Sequence, residues 1–339
     1  MTMPGRSDGE WGHDAASCPH SPRPRRILLL GDICAKPGRE AVIGSVPQLR
    51  QELGLDFVIA NGENAAGGYG LTPDIVSEIL ACGVDCITTG DHFFDKKEIA
   101  KSLESEMRLL RPLNYPEGVP GRGSGVYTVS GVGGQGSGIT DQGSGEGGWK
   151  IGVINLLGRV YLKPSDCPFQ RVMPELQRIR QETNAIIIDF HAEATAEKIS
   201  MGWYLDGEVS AVLGTHTHVP TADERILPRG TAYISDVGMC GGWDSVLGMR
   251  RDQAIRRMML NIPLRLEPTR DNLRVCGVLV ELDSESGRAR TIQRIARGYV
   301  PPSPEEKAQA SQGASEAGGQ NHELRSPDPE TPERPTASK

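Results

Sequence analysis

The chain contains no run of roughly 18 apolar residues, the length a bilayer-spanning helix requires, so a membrane span is excluded on length. It also lacks any CxxC pair. Its seven cysteines, an odd number scattered along the chain, form neither a disulfide framework nor a structural zinc signature, and a reducing compartment fits them best. Cys82 and Cys86 are expected to pack as a helix-to-strand pair. The first 25 residues, MTMPGRSDGEWGHDAASCPHSPRPR, have no apolar stretch that could serve as a signal-peptide core, so the cytoplasm is the expected location. Positive charge is short too: a formal net charge of -7 and a pI near 5.6 disfavour stable duplex nucleic-acid binding, although a local patch can still recruit a phosphate-bearing small molecule. Neither glycine-rich stretch, GDICAKPG or ENAAGGYG, spells GxGxxG. Asp32 at the tip of the first strand would repel a phosphate unless a cation stood between them.

What is present is one core. With 339 residues and 37% hydrophobic content, the chain can bury one large domain or two small ones. Three stretches lack the apolar content to offset their ordering entropy: a tail over 1–25, a Gly/Ser-rich segment over 130–148, and a tail over 301–339. The middle one lies between the strand-like runs GVYTV and WKIGVINLLG, which makes it a long loop insertion within a hairpin and not a domain boundary. One domain over 26–300 is expected. Within it, RRILLLGD, LDFVIANGEN and VDCITTGDH alternate with helical patterns over Gly38 to Leu53, Pro73 to Cys82 and Asp95 to Leu103, the rhythm of an α/β fold. IGVINLLG, AIIIDFH, VSAVLGTHTH and TAYISDVG continue the strands, and RVCGVLVELD with TIQRIARG closes the fold as an antiparallel pair.

The chemistry gathers where strands stop. The first three end in Gly31-Asp32, Gly62-Glu63-Asn64 and Gly90-Asp91-His92; later ones end at His191 and at the His216, His218 pair of GTHTH. Carboxyl ends of neighbouring strands converge on one crevice in an open α/β sheet. An HxH pair in extended chain is expected to point both imidazoles the same way. His13, His20 and His322 fall in the tails, which leaves four histidines for the domain, all after strand ends. A single Asp or Glu at a strand end is more often a helix cap than a ligand; eight such groups together reverse that weighting. Their mixed oxygen and nitrogen donors suit Mn, Fe or Zn, and they are too many for one ion. A two-metal site, with ions about 3.5 to 4 Å apart, serves phosphoryl-type hydrolysis. Asp95 and Asp236 are expected to support the ligands from behind, and Arg39 and Arg159 to make surface ion pairs as readily as phosphate contacts.

GDICAKPGR, NGENAAGGYGLT, GDHFFDKKE, RPLNYPEG, INLLGR, IDFHAEATAEK, GTHTHVPTADERILPRGTAYISDVGM and VLGM, in this order, closely resemble the YmdB-like branch of the calcineurin-type metallophosphoesterases. The resemblance spans about Arg26 to Val300 and implies a four-layer αββα sandwich. It also implies phosphodiesterase activity, including towards 2′,3′-cyclic nucleotides, with a metal-bridging hydroxide as nucleophile. Carried over by position, it implies that Asp32, Glu63, Asn64 and His218 hold one divalent transition metal, Fe or Mn with Zn an option. Glu63 bridges to a second, held by Asp91, His191 and His216, and His92 acts as general acid or holds the scissile phosphate. This chain departs from the family pattern twice, with Asp91 where asparagine is usual and Ala35 where glycine is usual. The implied partner is a small phosphodiester, with room for a homo-oligomer. The alternative is a metal-binding regulatory protein of the same fold with little turnover.

Overall fold

The computed structural model describes residues 23–130, 138–140 and 148–303, the middle segment as backbone. In chain order the elements are β1 (Arg25–Leu30), β2 (Asp32–Ile33), α1 (Ala35–Leu53), β3 (Phe57–Asn61), α2 (Pro73–Ala81), β4 (Cys86–Thr88), α3 (Ile99–Ser105), β5 (Ser124–Ser130), β6 (Gly138–Thr140) and β7 (Trp149–Leu157). They continue as α4 (Pro168–Ile179), β8 (Ile186–His191), α5 (Thr195–Tyr204), β9 (Ala211–Thr215), β10 (Arg225–Ile226), β11 (Ala232–Ile234), β12 (Met239–Gly242), α6 (Arg251–Leu260), β13 (Leu273–Leu282) and β14 (Ala289–Gly298). They belong to a compact unit that ends at Tyr299; Val300 onward forms a separate unit, described only as far as 303.

The strands make two sheets, not the single open sheet that converging strand ends suggest. One runs β2-β12-β13-β1-β3-β4 with β14 on β13; the other runs β10-β11-β9-β8-β7-β5-β6. The alternation of side chains along a strand assigns each residue to a layer. Ile27, Leu29, Phe57 and Ile59 face Ile151, Val153 and Ile187 of the second sheet in one apolar core. Leu28, Leu30 and Val58 turn the other way, onto Val42, Val46 and Leu49 of α1. Ile186, Ile188 and Phe190 point away from the shared core, onto Val172 and Leu176 of α4 and Met201 of α5. Strands covered on both faces need continuous apolar runs, which is why RRILLL and AIIIDF read as they do. Each such side chain contributes about 1.5–3 kcal/mol on full burial.

Local signals set the element ends. α1 stops at Gly54, whose φ of 58° is the left-handed conformation a helix C-terminus favours, and α2 starts on Pro73, whose missing N–H costs nothing in a first turn. β13 and β14 form the expected antiparallel pair, from Arg274 opposite Gly298 to Leu282 opposite Ala289. The sequence reading passes over α4, α5 and α6, although Val172, Leu176 and Ile179 of α4 recur at helical spacing on its buried face. It starts the domain at Arg26, whereas β1 begins at Arg25, and Arg23 and Arg25 both reach Asp56, at 2.5 and 3.1 Å. Inside the 130–148 insertion, Gly138–Thr140 pairs with β5 as an edge strand. Residues 1–22, 131–137, 141–147 and 304–339, which hold most of the expected tails and insertion, lie outside the described residues. Among the described residues, no helix is long and apolar enough to cross a membrane.

Candidate metal centre

The ends of both sheets meet at one place. From the first come Asp32 after β1, Glu63 and Asn64 after β3, and Asp91 with His92 after β4; from the second come His191 at the end of β8 and His216 and His218 after β9. Glu63, Asp91, His191 and His216 each offer a ligand atom, and these atoms all lie within 4.8 Å of one another, so the four could hold a metal ion. His191 Nε2 stands 3.0 Å from Glu63 Oε1 and 3.6 Å from Asp91 Oδ1, and His216 Nδ1 is 3.7 Å from Asp91 Oδ1. The remaining predicted ligands lie alongside: His218 Nε2 is 3.8 Å from Asp32 Oδ1 and 3.3 Å from Asn64 Oδ1, and Asp32 Oδ1 is 3.9 Å from His191 Nδ1. All seven expected ligands are therefore brought together.

The residues fit bound cations in three ways. Asp32 Oδ1 and Asp91 Oδ1 are buried with no hydrogen-bond partner, a costly state for a carboxylate oxygen unless a cation faces it. Two ring nitrogens, His191 Nε2 and His216 Nδ1, face each other at 2.9 Å among three carboxylates. Gly90 leaves the space they need, since a Cβ there would lie 2.1 Å from Glu63 Oε2 and 2.3 Å from His191 Nε2.

Charge and hydrogen bonding set the state of these groups. Burial lowers the pKa of His191, but Glu63, Asp91 and Asp32 outweigh it and hold the ring well above its usual value. Burial and the neighbouring His191 hold His216 down to about 3. Burial raises the pKa of Asp91, yet His191, His92 and His216 keep it well below the usual carboxylate range. Behind His191, Thr215 Oγ1 donates to Asp189 Oδ1 at 2.7 Å, so its remaining role towards His191 Nδ1, 2.9 Å away, is to accept. That fixes one proton on Nδ1; the carboxylates hold the second on Nε2, and a cation in the centre would displace it and take the Nε2 lone pair.

The HxH pair reaches the cluster by a different route from the one its spacing suggests. His216 and His218 have φ of 103° and 65°, left-handed values rare for residues other than glycine, and not extended chain. A buried ion pair holds this turn: Lys198 Nζ lies 2.7 Å from both Asp236 Oδ2 and the Thr215 carbonyl, and Thr217 N–H donates to Asp236 Oδ2 at 3.0 Å. Stranding either charge in the interior is costly, which makes the pair an effective clamp on the loop.

His92 stands beside the ligands. Its Nδ1 is 2.8 Å from Asp95 Oδ2, its Nε2 is 3.9 Å from Asp91 Oδ2, and its backbone N–H donates to Glu63 Oε2 at 3.3 Å. Tyr69 packs edge-on against it at 5.0 Å between ring centroids. Arg39 makes the surface ion pair, to Glu78 at 3.1 Å. Sequence reasoning missed Glu193, whose Oε2 is 3.1 Å from His216 Nε2, as well as Lys163 on the Asp91 carbonyl at 2.6 Å and the Lys198 clamp. The position of Glu193 two residues past His191 was the available signal.

Ala35 holds φ at 53°. The left-handed strain of about 1–2 kcal/mol is nearly offset by the entropy glycine would lose, roughly 0.5–1 kcal/mol, and by the burial of a methyl group, about 0.8 kcal/mol. Ala35→Gly should therefore change stability by less than about 1 kcal/mol, or a few degrees in Tm at most. A thermal melt showing a drop of about 10 °C, well beyond that range, would contradict this balance.

The model of the family described as YmdB-like protein matches residues 28–295. A 2′,3′-cyclic-nucleotide 2′-phosphodiesterase of Bacillus subtilis is 44% identical over 270 residues, covering 80% of this chain and 96% of that protein. A putative phosphatase/phosphodiesterase of Mycoplasma pneumoniae is 36% identical over 266 residues, covering 76% and 88%. Among solved structures, a novel phosphatase from Mycoplasma pneumoniae aligns with a TM-score of 0.71 and 31% identity over 84% of this chain and 97% of its own. A hypothetical protein from Thermus thermophilus aligns at 0.70 and 36% identity over 81% and 100%. With a family model spanning most of the domain and relatives matched over nearly their whole length, the chain belongs to the YmdB-like protein family.

Proposed function

We propose that this protein is a cytoplasmic two-metal phosphodiesterase acting on 2′,3′-cyclic nucleotides or related small nucleotides, with a four-layer αββα architecture. The observation that carries the reading is the convergence of Glu63, Asp91, His191 and His216, with the buried Oδ1 atoms of Asp91 and of the adjoining Asp32 left without a hydrogen-bond partner. The three apolar cores, one between the sheets and one on each outer face, support the four layers. Six described cysteines, all free, support a reducing compartment.

Asp32, Glu63, Asn64 and His218 would hold one ion, and Asp91, His191 and His216 would hold the other with Glu63 shared. The oxygen and imidazole donors suit Mn or Fe, with Zn an option. Bound divalent cations supply positive charge at the phosphoryl oxygens and activate water. The chain's own residues do the rest. Asp95 anchors His92 through Nδ1 and leaves Nε2 at the edge of the carboxylate cluster, where a leaving oxygen would emerge. As the P–O2′ bond breaks and water adds to phosphorus, His92 Nε2–H transfers its proton to O2′. Lys198 and Asp236 keep the histidine loop from relaxing during the step. Incubating the Mn²⁺-loaded protein with a 2′,3′-cyclic nucleotide should yield the 3′-monophosphate, and a chelator should abolish turnover. A loaded protein that binds metal yet turns over nothing would favour the regulatory alternative.

A further inference from the structure

Two of the strands that carry histidines to the metal centre begin at a second cavity. β8 ends in His191 and β9 runs into His216, while Asn184, just before β8, and Val209, just before β9, line a space of about 560 Å³. That volume falls within the roughly 300–1,000 Å³ range of ligand pockets. The six residues of β8, at about 3.3 Å each, put the two sites roughly 20 Å apart. They share no lining residue.

The lining gathers positive charge. Arg180 comes from the end of α4, Arg229 from the turn between β10 and β11, and Arg288 from the turn between β13 and β14. Against these three guanidinium groups the lining sets one carboxylate, Glu208, whose Oε2 lies 2.5 Å from Arg180 Nη2 and whose Oε1 lies 3.5 Å from Arg229 Nη2. The Arg288 guanidinium has no ion pair or hydrogen bond among the described residues. In a chain of net charge -7 this is a local reversal of sign, of the kind that draws an anion.

The backbone holds those arginines in place. Asp283 closes the turn before Arg288: its Oδ1 accepts from the Ser286 N–H and hydroxyl, both at 2.8 Å, and its own N–H donates to the Arg288 carbonyl at 2.8 Å. Asp206 accepts from the Arg229 N–H at 3.0 Å. Gly207 holds φ at 79°, and a Cβ there would lie 2.8 Å from Arg229 Nε, so that side chain lies against bare backbone. The Ala289 N–H donates to the Gly230 carbonyl at 3.1 Å and joins the two arginine-bearing turns. A neighbouring cavity of about 310 Å³ shares Asn184 and Gly287 with the first, and in it Ser284 Oγ is buried with no hydrogen-bond partner among the described residues.

We propose that this cavity is a second ligand site, for a compact anion carrying two or more phosphate groups. Guanidinium forks match phosphate oxygens in pairs, and arginines approaching from three elements suit linked phosphates better than a single one. Val209 is the only large apolar side chain of the lining, so nothing there packs against a base, and the ligand is recognised by its phosphates.

Calorimetric titration of inorganic pyrophosphate into the Mn²⁺-loaded, desalted full chain tests the site, with inorganic phosphate as the single-phosphate comparison. Pyrophosphate also has affinity for metal ions, so the titration is repeated on the Glu63→Ala protein, whose metal centre is impaired. One pyrophosphate per chain should bind both proteins, at least about tenfold tighter than phosphate. Arg288→Ala should weaken that binding by about tenfold or more, the scale of one charge-assisted hydrogen bond, and leave cyclic-nucleotide hydrolysis unchanged. Glu208→Gln should tighten it several-fold, because it releases Arg180 and Arg229 from their competing carboxylate. Binding that disappears in Glu63→Ala and ignores Arg288→Ala places the anion at the metal centre and overturns the site. Equal affinity in the native, Arg288→Ala and Glu208→Gln proteins makes the cluster a solvated charged face and also overturns it. Equal affinity for phosphate and pyrophosphate overturns the ligand class.

Discussion

His92→Ala should lower the hydrolysis rate by about 10²- to 10⁴-fold, the span of a general acid–base contribution, while metal content stays unchanged. The separation of the two effects follows from which atoms His92 uses. Its backbone N–H, and not its ring, donates to Glu63 Oε2, so alanine preserves the bond that orients Glu63. Its ring nitrogens face Asp95 at 2.8 Å and the outer oxygen of Asp91 at 3.9 Å, whereas the ring nitrogens of His191 and His216 lie among the ligand atoms. Removing the ring therefore removes a proton donor held by Asp95 and leaves the donor set whole. Metal analysis and single-turnover rates on the same preparation decide the matter. Loss of metal in step with activity would make His92 a ligand, and an unchanged rate would end its role as acid.

Asp91→Asn should weaken metal retention by at least about tenfold, since even residues that merely support metal ligands commonly change affinity by 10–100-fold. Asp91 Oδ1 is buried, partnerless, and within 3.7 Å of two imidazole nitrogens. As carboxylates, Asp32, Glu63 and Asp91 place three negative charges against four from two divalent ions. The amide reduces that to two and leaves the centre more positive. A more positive centre also draws the diester anion more strongly, so the fully loaded variant should gain in kcat/KM at neutral pH. Competitive titration with a metal-sensitive dye measures the first effect and steady-state kinetics the second. Equal affinity in the two proteins would show that Asp91 does not carry the second ion, and a slower loaded variant would show that the carboxylate serves turnover directly.

The part of this site that was legible in the sequence is the part written at strand ends. Asp32, Glu63, Asn64, Asp91, His191, His216 and His218 each follow an apolar run long enough to be read as a buried strand, and every one reaches the cluster. What the runs do not encode is which sheet a strand joins. RRILLL and AIIIDF look alike because both are covered on two faces, yet they lie in different sheets, and the crevice is formed by two sheets and not one. The HxH pair shows the same limit at a single turn: alternation suggested extended chain, but the ion pair of Lys198 and Asp236 holds the backbone in a left-handed turn that no local pattern announces. Lys163 acts on Asp91 across 72 positions of sequence, a distance no motif spans. α6 was missed because its stripe faces a cavity and not the core, leaving exposed methionines where periodicity expects burial.

The central claim is that seven residues from two sheets form a two-ion site. Elemental analysis of the purified full chain after Mn²⁺ loading and desalting tests it most directly. The expected result is two ions per chain, falling when Glu63, the shared ligand, is replaced by alanine; one ion or none in the native protein would contradict the account.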